Sequence, residues 1–300
     1  MKKLLLLLFL VGQLSYAQQV EILSINPIEQ TNDGGFFYPV FSPENQFLVA
    51  TDASYNGLKL IRLTDNSIQT ITTDQGAGYG ARINIDGSAI IFRKTEIIKG
   101  LKYNSLHSII LKNNKQKKLI SRTREQFTAT FSETTPVFVK GAKLNKKTIS
   151  ATLIAPIIQI EDRKMVIYSG KTRTTLTPNG ENVSYIWPSL SPDNKRIVYT
   201  VTGKGTFVCD ITGKNVQPIG KLSAPKWLNN QLLVGMDDKD NGDQTVSSVI
   251  IVASADGKNR QALTNTNDFN AMYPVASADG KKIAFCTDKG RLYLININIK

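Results

Sequence analysis

The sequence predicts an all-β fold, a six-bladed β-propeller, and three observations carry this prediction. A short motif returns along the chain, the segments between its copies alternate as β-strands, and the first and last strands complement each other. No segment sustains the 3.6-residue period of a long helix. A closed ring of small sheets accounts for all three observations.

The motif is a serine followed by a tight turn. Ser191 has Pro188 three residues before it and Pro-Asp-Asn after it, and Ser277 has Pro274 and Ala-Asp-Gly in the same frame. Ser42 repeats the pattern, and weaker copies are centred on the following residues: Asn84, Ser132 and Leu228. The six anchors lie roughly 47 residues apart on average, within the 20–50-residue period that marks repeat folds.

Each unit is predicted to hold four antiparallel strands. In the first unit the second to fourth strands are Gln46–Thr51, Leu58–Thr64 and Ser67–Thr72, all rich in β-branched residues. The sixth unit stops after its third strand, Arg291–Asn296, whereas Gln19–Ile25 is a strand that belongs to no unit. We therefore predict that the N-terminal strand pairs beside the last strand and closes the ring, which leaves no exposed edge there.

The motif also carries a resemblance. The patterns Pro188–Tyr199 and Pro274–Phe285 resemble the WD-repeat-like blades of TolB-type six-bladed propellers, which also occur in the propeller domains of prolyl-oligopeptidase-like enzymes. The resemblance covers essentially the whole chain after the N-terminal segment and is weakest in the third unit, Arg122–Gly180. No counterpart of the domain that precedes the propeller in TolB is expected, so the resemblance implies the propeller alone.

The N-terminus is typical of a secretory signal peptide. Met-Lys-Lys precedes the apolar block Leu4–Val11, and Ser15-Tyr16-Ala17 supplies small residues for cleavage after Ala17. The apolar block is shorter than the roughly 20 residues that span a bilayer. We predict a signal peptide over residues 1–17, a single propeller domain over residues 18–300, a periplasmic or secreted protein, and no membrane-spanning segment.

The charge of the chain indicates which partners it favours, and its cysteines are considered with it. The formal net charge of +13 favours acidic partners, among them anionic glycans and lipid head groups, while export argues against nucleic acid. Two basic runs, Lys112–Lys118 and Lys140–Lys147, are interpreted as solvated loops or as a docking patch. Cys209 and Cys286 fall in strands of different units and are interpreted as buried thiols, with a disulfide left open.

Little in the sequence suggests catalysis. The sequence has one histidine, His107, and no Gly-x-Ser-x-Gly motif that would place a nucleophilic serine beside it. One histidine and two separated cysteines are too few ligands for a zinc site. We predict no catalytic residue, no metal site and no cofactor. The acidic run Asp237–Asp243 is interpreted as a hairpin turn, with a loose calcium site as the alternative.

The most informative positions lie just before each anchor. Because side chains alternate along a strand, Arg82 and Lys226, two residues before their anchors, should face the channel from opposite units, where they suit a carboxylate or phosphate or else line a hydrated channel. Further upstream, aromatic residues should gather on one face of the ring. They are Tyr38, Tyr79, Phe127, Trp187 and Tyr273.

These aromatic residues fit either recognition of a peptide or sugar, or packing between blades. We expect an exported, non-enzymatic propeller that binds a protein or peptide partner of the cell envelope at this face. One alternative is a module that binds carbohydrate or envelope glycan. Another is a small hydrolase or lyase that uses the propeller channel.

Overall fold

β-Strands are the regular structure of the part of the chain that the structure describes. The computed structural model describes residues 18–28, 35–141, 143–145, 155–170 and 172–300, and the described part contains 26 strands in seven antiparallel sheets. The predicted signal peptide lies outside these residues. No helix long and apolar enough to cross a membrane occurs among them.

Four sheets are formed by four strands that follow one another in sequence. Blade 1 contains β2 (Phe37–Phe41), β3 (Phe47–Thr51), β4 (Leu58–Arg62) and β5 (Ile68–Thr72). Blade 2 contains β6 (Arg82–Ile83), β7 (Ala89–Ile98), β8 (Leu101–Ile110) and β9 (Lys115–Thr123). Blade 5 contains β16 (Tyr185–Leu190), β17 (Arg196–Val201), β18 (Gly205–Asp210) and β19 (Gln217–Gly220). Blade 6 contains β20 (Ser223–Trp227), β21 (Leu232–Asp240), β22 (Thr245–Ser254) and β23 (Arg260–Ala262).

The other three sheets depart from this pattern. Blade 3 contains β10 (Phe127–Ser132), β11 (Thr135–Lys140) and β12 (Lys143–Asn145). Blade 4 contains β13 (Ile157–Glu161), β14 (Lys164–Ser169) and β15 (Thr172–Leu176). Blade 7 contains β24 (Ala271–Ala276), β25 (Lys282–Thr287), β26 (Leu292–Ile299) and, as its outer strand, β1 (Val20–Pro27).

The N-terminal strand closes the ring, as predicted. β1 pairs antiparallel with β26, from Val20 opposite Ile299 to Pro27 opposite Tyr293. The side chain of Gln261 adds a bridge from blade 6, because its Nε2 donates to the Val20 carbonyl at 2.6 Å and its Oε1 accepts from the Val20 amide at 3.2 Å. The last blade is thus completed by a strand from the opposite end of the chain.

The core is divided into layers between the blades. Seven clusters of buried apolar residues occur in the described part, and each joins one pair of neighbouring blades, including blades 7 and 1. The cluster between blades 6 and 7 is the largest and includes Val20 of β1. The cluster between blades 3 and 4 consists of five residues: Val137, Val139, Ile157, Val166 and Tyr168. The all-β propeller predicted from the sequence is confirmed by this arrangement.

The number of sheets corrects one detail of the prediction. Five of the six predicted units correspond to one sheet each, but the third unit, Arg122–Gly180, holds both blade 3 and blade 4, so the described residues form seven sheets. Blade 4 lacks the serine motif because Asp162 and Arg163, both with left-handed φ, join β13 to β14 directly. A two-residue hairpin of this kind, which blade 3 also has between Ser132 and Thr135, leaves no room for the longer turn of the other five blades.

The serine motif itself is structural. Ser191 is buried, its Oγ accepts from the Arg196 amide at 2.9 Å and donates to Asp193 at 2.6 Å, and the turn that it fixes joins β16 to β17. Ser277 binds Lys282 and Asp279 in the same way. The motif therefore recurs because the same turn between the first and second strands is repeated.

Candidate binding site at the channel mouth

A bulge is repeated in the first strands of four blades. In blades 1, 5, 6 and 7 the register with the second strand shifts, and one residue in the shifted segment has left-handed φ and precedes a proline. These residues are Tyr38 (φ 53°), Trp187 (φ 52°), Ala224 (φ 48°) and Tyr273 (φ 51°). Proline lacks an amide hydrogen, so it fits a position where the hydrogen-bond ladder is interrupted. A bulge also changes the direction of the side chain that it carries.

On one side of the channel mouth the re-aimed aromatic residues pack on one another. The Tyr38 ring stacks on Tyr55 with centroids 4.2 Å apart and lies 4.6 Å from the Tyr273 ring. We call Tyr38, Tyr55 and Tyr273 the tyrosine stack. Burial raises the pKa of Tyr38, to which the hydroxyl of Tyr55 contributes, and burial also raises the pKa of Tyr273. Both phenols therefore stay neutral and serve as packing surface.

On the other side the mouth is open. A cavity of about 520 Å³ is lined by residues of blades 2 to 6, and five of the predicted site residues lie on its wall. They are Tyr79, Arg82, Phe127, Trp187 and Lys226. Tyr79 and Trp187 are 57% and 39% exposed, so each presents a large aromatic surface to water. We call this cavity the mouth cavity.

Arg93 joins the mouth cavity although no sequence pattern singled it out. Its guanidinium lies 4.4 Å from the centre of the Phe127 ring and 5.2 Å from that of Tyr79, and its Nη2 donates to the Phe127 carbonyl at 3.1 Å. Its Nε is buried and has no acceptor among the described residues. Tyr79 in turn meets Tyr55 edge-on at 5.5 Å, so Arg93 and Tyr79 connect the mouth cavity to the tyrosine stack.

Arg82 and Lys226 give the cavity its charge. Arg82 lies on β6 and Lys226 on β20, three blades apart, which is the widest separation that a ring of seven sheets allows. Enclosure by the ring lowers the pKa of Arg82. The same enclosure, with a contribution from the positive charge of Arg82, lowers the pKa of Lys226 to about 8. Arg82 still has a large exposed surface, because the channel that surrounds it is open to water.

The structure thus separates the seven predicted site residues into two groups. Five line the mouth cavity, whereas Tyr38 and Tyr273 pack between blades 1 and 7. Packing is therefore observed for Tyr38 and Tyr273, whereas the five residues of the mouth cavity are the candidates for recognition. Tyr55, the third member of the stack, comes from the loop between β3 and β4, which the comparison of first strands did not include.

His107 does have a serine partner. Its Nε2 lies 3.0 Å from Ser105 Oγ, and the charge of nearby Asp74 acts on the ring. Ser105 is nevertheless 2% exposed, and its neighbour Leu106 is the one that lines the mouth cavity from this strand, so Ser105 and His107 point away from it. Burial lowers the pKa of His107. The pair is a hydrogen bond within β8, without access for a substrate.

The acidic run Asp237–Asp243 forms a hairpin between β21 and β22. Asp240 accepts from the Gly242 amide at 3.0 Å and Asn241 from the Gln244 amide at 3.0 Å, as in an ordinary turn. Asp237 pairs with Arg260 at 3.3 Å. In the described part of the chain no three His, Cys, Asp or Glu side chains are grouped as a metal site would require.

The two thiols lie in separate layers of the core. Cys209 belongs to the cluster between blades 4 and 5, and Cys286 to the cluster between blades 7 and 1. Both are free and buried, which confirms the interpretation made from their positions in the sequence. Burial raises the pKa of each thiol to about 12, so neither is a nucleophile at neutral pH.

The first basic run lies largely on an edge strand. Lys115, Lys117 and Lys118 are exposed on β9, the outer strand of blade 2, where charge discourages pairing with another sheet. Of the second run, Lys146 and Lys147 lie outside the described residues. The exposed lysines therefore have a structural explanation that needs no ligand.

Comparison with known proteins supports the fold. No family model and no curated protein matches the chain. Among solved structures, TolB from Acinetobacter baumannii matches with a TM-score of 0.53 and 17% identity over 80% of this chain. The match spans 56% of the TolB chain, so this chain corresponds to little more than half of that protein.

Two further structures show the same fold. The WD40 repeats of RRP9 match with a TM-score of 0.61 and 8% identity, over 93% of this chain and 100% of theirs. An oligogalacturonate lyase from Vibrio parahaemolyticus matches with a TM-score of 0.50 and 14% identity, over 89% of this chain and 79% of the lyase. At these identities the matches establish a β-propeller of the kind found in TolB and in WD40 proteins.

Proposed function

We propose that this chain is an exported, non-enzymatic β-propeller that binds a protein or peptide partner of the cell envelope at the channel mouth. The observation that carries the proposal is the placement of Tyr79 and Trp187, two exposed aromatic side chains, on the wall of one cavity. Exposed aromatic residues beside a concave surface are typical of recognition sites. Likeness to TolB and to WD40 propellers is in keeping with a binding role.

The backbone supports this interpretation. Trp187 is held at a left-handed φ, which is costly for a bulky residue, and its side chain makes no ring contact with another described residue comparable to the tyrosine stack. Its neighbours in the cavity wall, Pro188, Ser189 and Leu190, come from the same strand. A partner that covers Trp187 would bury an apolar surface that the free protein leaves in water.

Export is the second part of the proposal and rests on the sequence of residues 1–17. A single propeller domain over residues 18–300 is proposed with it. Fractionation of the producing cells, with N-terminal sequencing of the mature protein, tests both: a mature N-terminus at Gln18 in the envelope or medium is expected. Retention of the intact chain in the cytoplasm would overturn the export proposal.

Binding is tested by affinity capture from envelope extracts, with quantitative mass spectrometry of the bound proteins. We expect wild-type protein to retain at least one envelope protein, and the Tyr79→Ala/Trp187→Ala variant to retain it about tenfold less or not at all, because aromatic anchors dominate interface energies. Direct titration with the purified partner then gives the change in Kd.

The matched control is Ile110→Ala/Val216→Ala. The exposed fractions of these apolar side chains, 44% and 37%, are similar to that of Trp187. Both residues lie at the ends of their blades that are opposite the channel mouth, beside the turns after β8 and before β19. The control should bind as the wild type does. Equal loss in both double variants, or no envelope protein that depends on Tyr79 and Trp187, contradicts the proposal.

A further inference from the structure

The mouth cavity carries positive charge without a counter-charge. Arg82, Arg93 and Lys226 line it, and none of the described residues that line it is an aspartate or glutamate. None of the three forms an ion pair with a described acidic residue, whereas Lys94, the neighbour of Arg93 on β7, pairs with Asp74 at 2.8 Å. On β7, therefore, the cation without an ion pair is the one that faces the cavity.

Keeping these charges unpaired costs stability. Cations enclosed without a counter-charge are unfavourable, and the same enclosure lowers the pKa of Lys226 to about 8. The buried Nε of Arg93 adds a donor without an acceptor. Buried polar groups of proteins nearly always have partners, so a donor that lacks one beside a cavity indicates the place of a ligand atom.

The remainder of the wall is largely apolar. Phe127, Ile158, Ile160, Trp187 and Leu190 line the same cavity as the three cations. A ligand that satisfies both parts of the wall carries an anionic group and, next to it, an apolar group. Sugars present hydroxyl groups on most of their surface, whereas a peptide segment combines a carboxylate with apolar side chains within a few bonds.

We propose that the mouth cavity binds a carboxylate-bearing peptide segment, with the carboxylate among Arg82, Arg93 and Lys226 and a neighbouring apolar side chain against Phe127 and Trp187. The carboxylate belongs either to an Asp or Glu side chain or to a free C-terminus, since both present the same two oxygens to a guanidinium. This inference rests on the proposed function and adds the chemistry of the segment that the propeller recognises.

Small probes test the chemistry without knowledge of the partner. The probes are N-acetyl-phenylalanine, which has a free carboxylate, and its neutral amide. Two more are digalacturonate and N-acetyl-phenylalanyl-aspartyl α-amide, in which only the side chain supplies a carboxylate. Binding is measured by calorimetry and by chemical shifts of the Trp187 indole. We expect at least one carboxylate peptide to bind about tenfold more tightly than the neutral amide, and the better of the two to identify the source of the carboxylate.

Variants assign the binding to the cavity. Arg82→Gln and Lys226→Gln should each weaken binding of the preferred probe about tenfold, while Lys204→Gln, which removes one charge from an exposed hairpin, should not. Wild-type affinity should fall from pH 7 to pH 9 as Lys226 loses its proton near pH 8. Lys226→Arg keeps the charge at both pH values and should bind equally well at each.

The outcomes separate this inference from the proposed function. Equal binding of acid and amide, equal losses in Lys204→Gln and Lys226→Gln, or binding of digalacturonate alone would overturn the carboxylate-peptide site. If envelope capture depends on Tyr79 and Trp187 but not on Arg82 or Lys226, the inference fails and the proposed function stands. If carboxylate peptides bind and no envelope protein is captured, the proposed function fails.

Discussion

At blades 7 and 1 the bulged first strands bring Tyr273 and Tyr38 within 4.6 Å of each other, whereas at blade 5 the same bulge directs Trp187 into an open cavity. The local backbone is alike in all three blades, with φ between 51° and 53°. The difference therefore arises from the neighbours. Blades 7 and 1 are adjacent and both carry a bulge with a tyrosine, so their side chains can meet.

The neighbours of Trp187 offer no such partner. Blade 6, on one side of blade 5, has the same bulge but carries Ala224 at it, and blade 4, on the other side, pairs without a shift from Ile157 to Glu161. Neither adjacent blade therefore carries an aromatic ring at a bulge that could meet Trp187. The repeated bulge thus gives packing where adjacent blades both carry a tyrosine at it, and it leaves Trp187 exposed where the neighbouring blades carry an alanine or no bulge.

The largest effect expected from this comparison is on stability. Tyr38→Ala removes the central ring of the tyrosine stack and should lower the free energy of unfolding by about 2–4 kcal/mol. Trp187→Ala removes an exposed ring and should lower it by less than about 1 kcal/mol. Denaturant unfolding followed by circular dichroism measures both. Similar losses in the two variants would contradict the distinction between a packed and an open side.

The open side should instead be stabilised when its charge is removed. Lys226→Met is expected to raise the free energy of unfolding at pH 7, by less than Tyr38→Ala lowers it, because an enclosed and unpaired charge is lost. The folded pKa of Lys226 is about 8 and the ordinary value is 10.5, so the unfolded chain binds more protons between these values. Wild-type stability gains from this residue as pH rises through that window, and the advantage of the variant should disappear by about pH 10.5.

The control for this prediction is Lys204→Met, at an exposed position of the hairpin between β17 and β18. Its stability should follow that of the wild type across the same pH range. If Lys226→Met is less stable than the wild type at pH 7, the lysine is stabilised in the cavity by a partner, and the cost inferred for the unpaired cation is wrong.

Much of the scaffold follows from the sequence because its determinants are local. A buried serine that caps a turn, such as Ser191 or Ser277, requires a fixed order of small and turn-forming residues, and closure by β1 follows from counting strands at the two ends. Blade 4 escaped the count because Asp162 and Arg163 form a turn by backbone conformation alone. Such a turn leaves no motif to align.

The candidate site could be predicted only in part from the sequence, for a related reason. Alternation along a first strand placed Arg82 and Lys226 on the channel side, and both line the mouth cavity. Arg93 lies on a second strand, and its position depends on contacts with Tyr79 and Phe127 from other strands. No rule of spacing within one strand predicts which cation of β7 faces the cavity and which, like Lys94, pairs with Asp74.

The two thiols provide the most local test of the difference between the packed side and the open side, because each thiol lies in the core next to one of them. Cys286 belongs to the apolar cluster against which Tyr273 packs, and the Tyr38 backbone contacts its sulfur, whereas Cys209 lies between blades 4 and 5. With the pKa of both thiols near 12, neither should react with a disulfide reagent at pH 8 in the native wild type. In Tyr38→Ala, Cys286 should be labelled several-fold faster than in the wild type, whereas Cys209 should stay protected. Peptide mapping after labelling distinguishes the two thiols. Trp187→Ala should leave both protected. Simultaneous labelling of the two thiols in Tyr38→Ala would mean that the ring opens as a whole, and that the packed side is not a local unit.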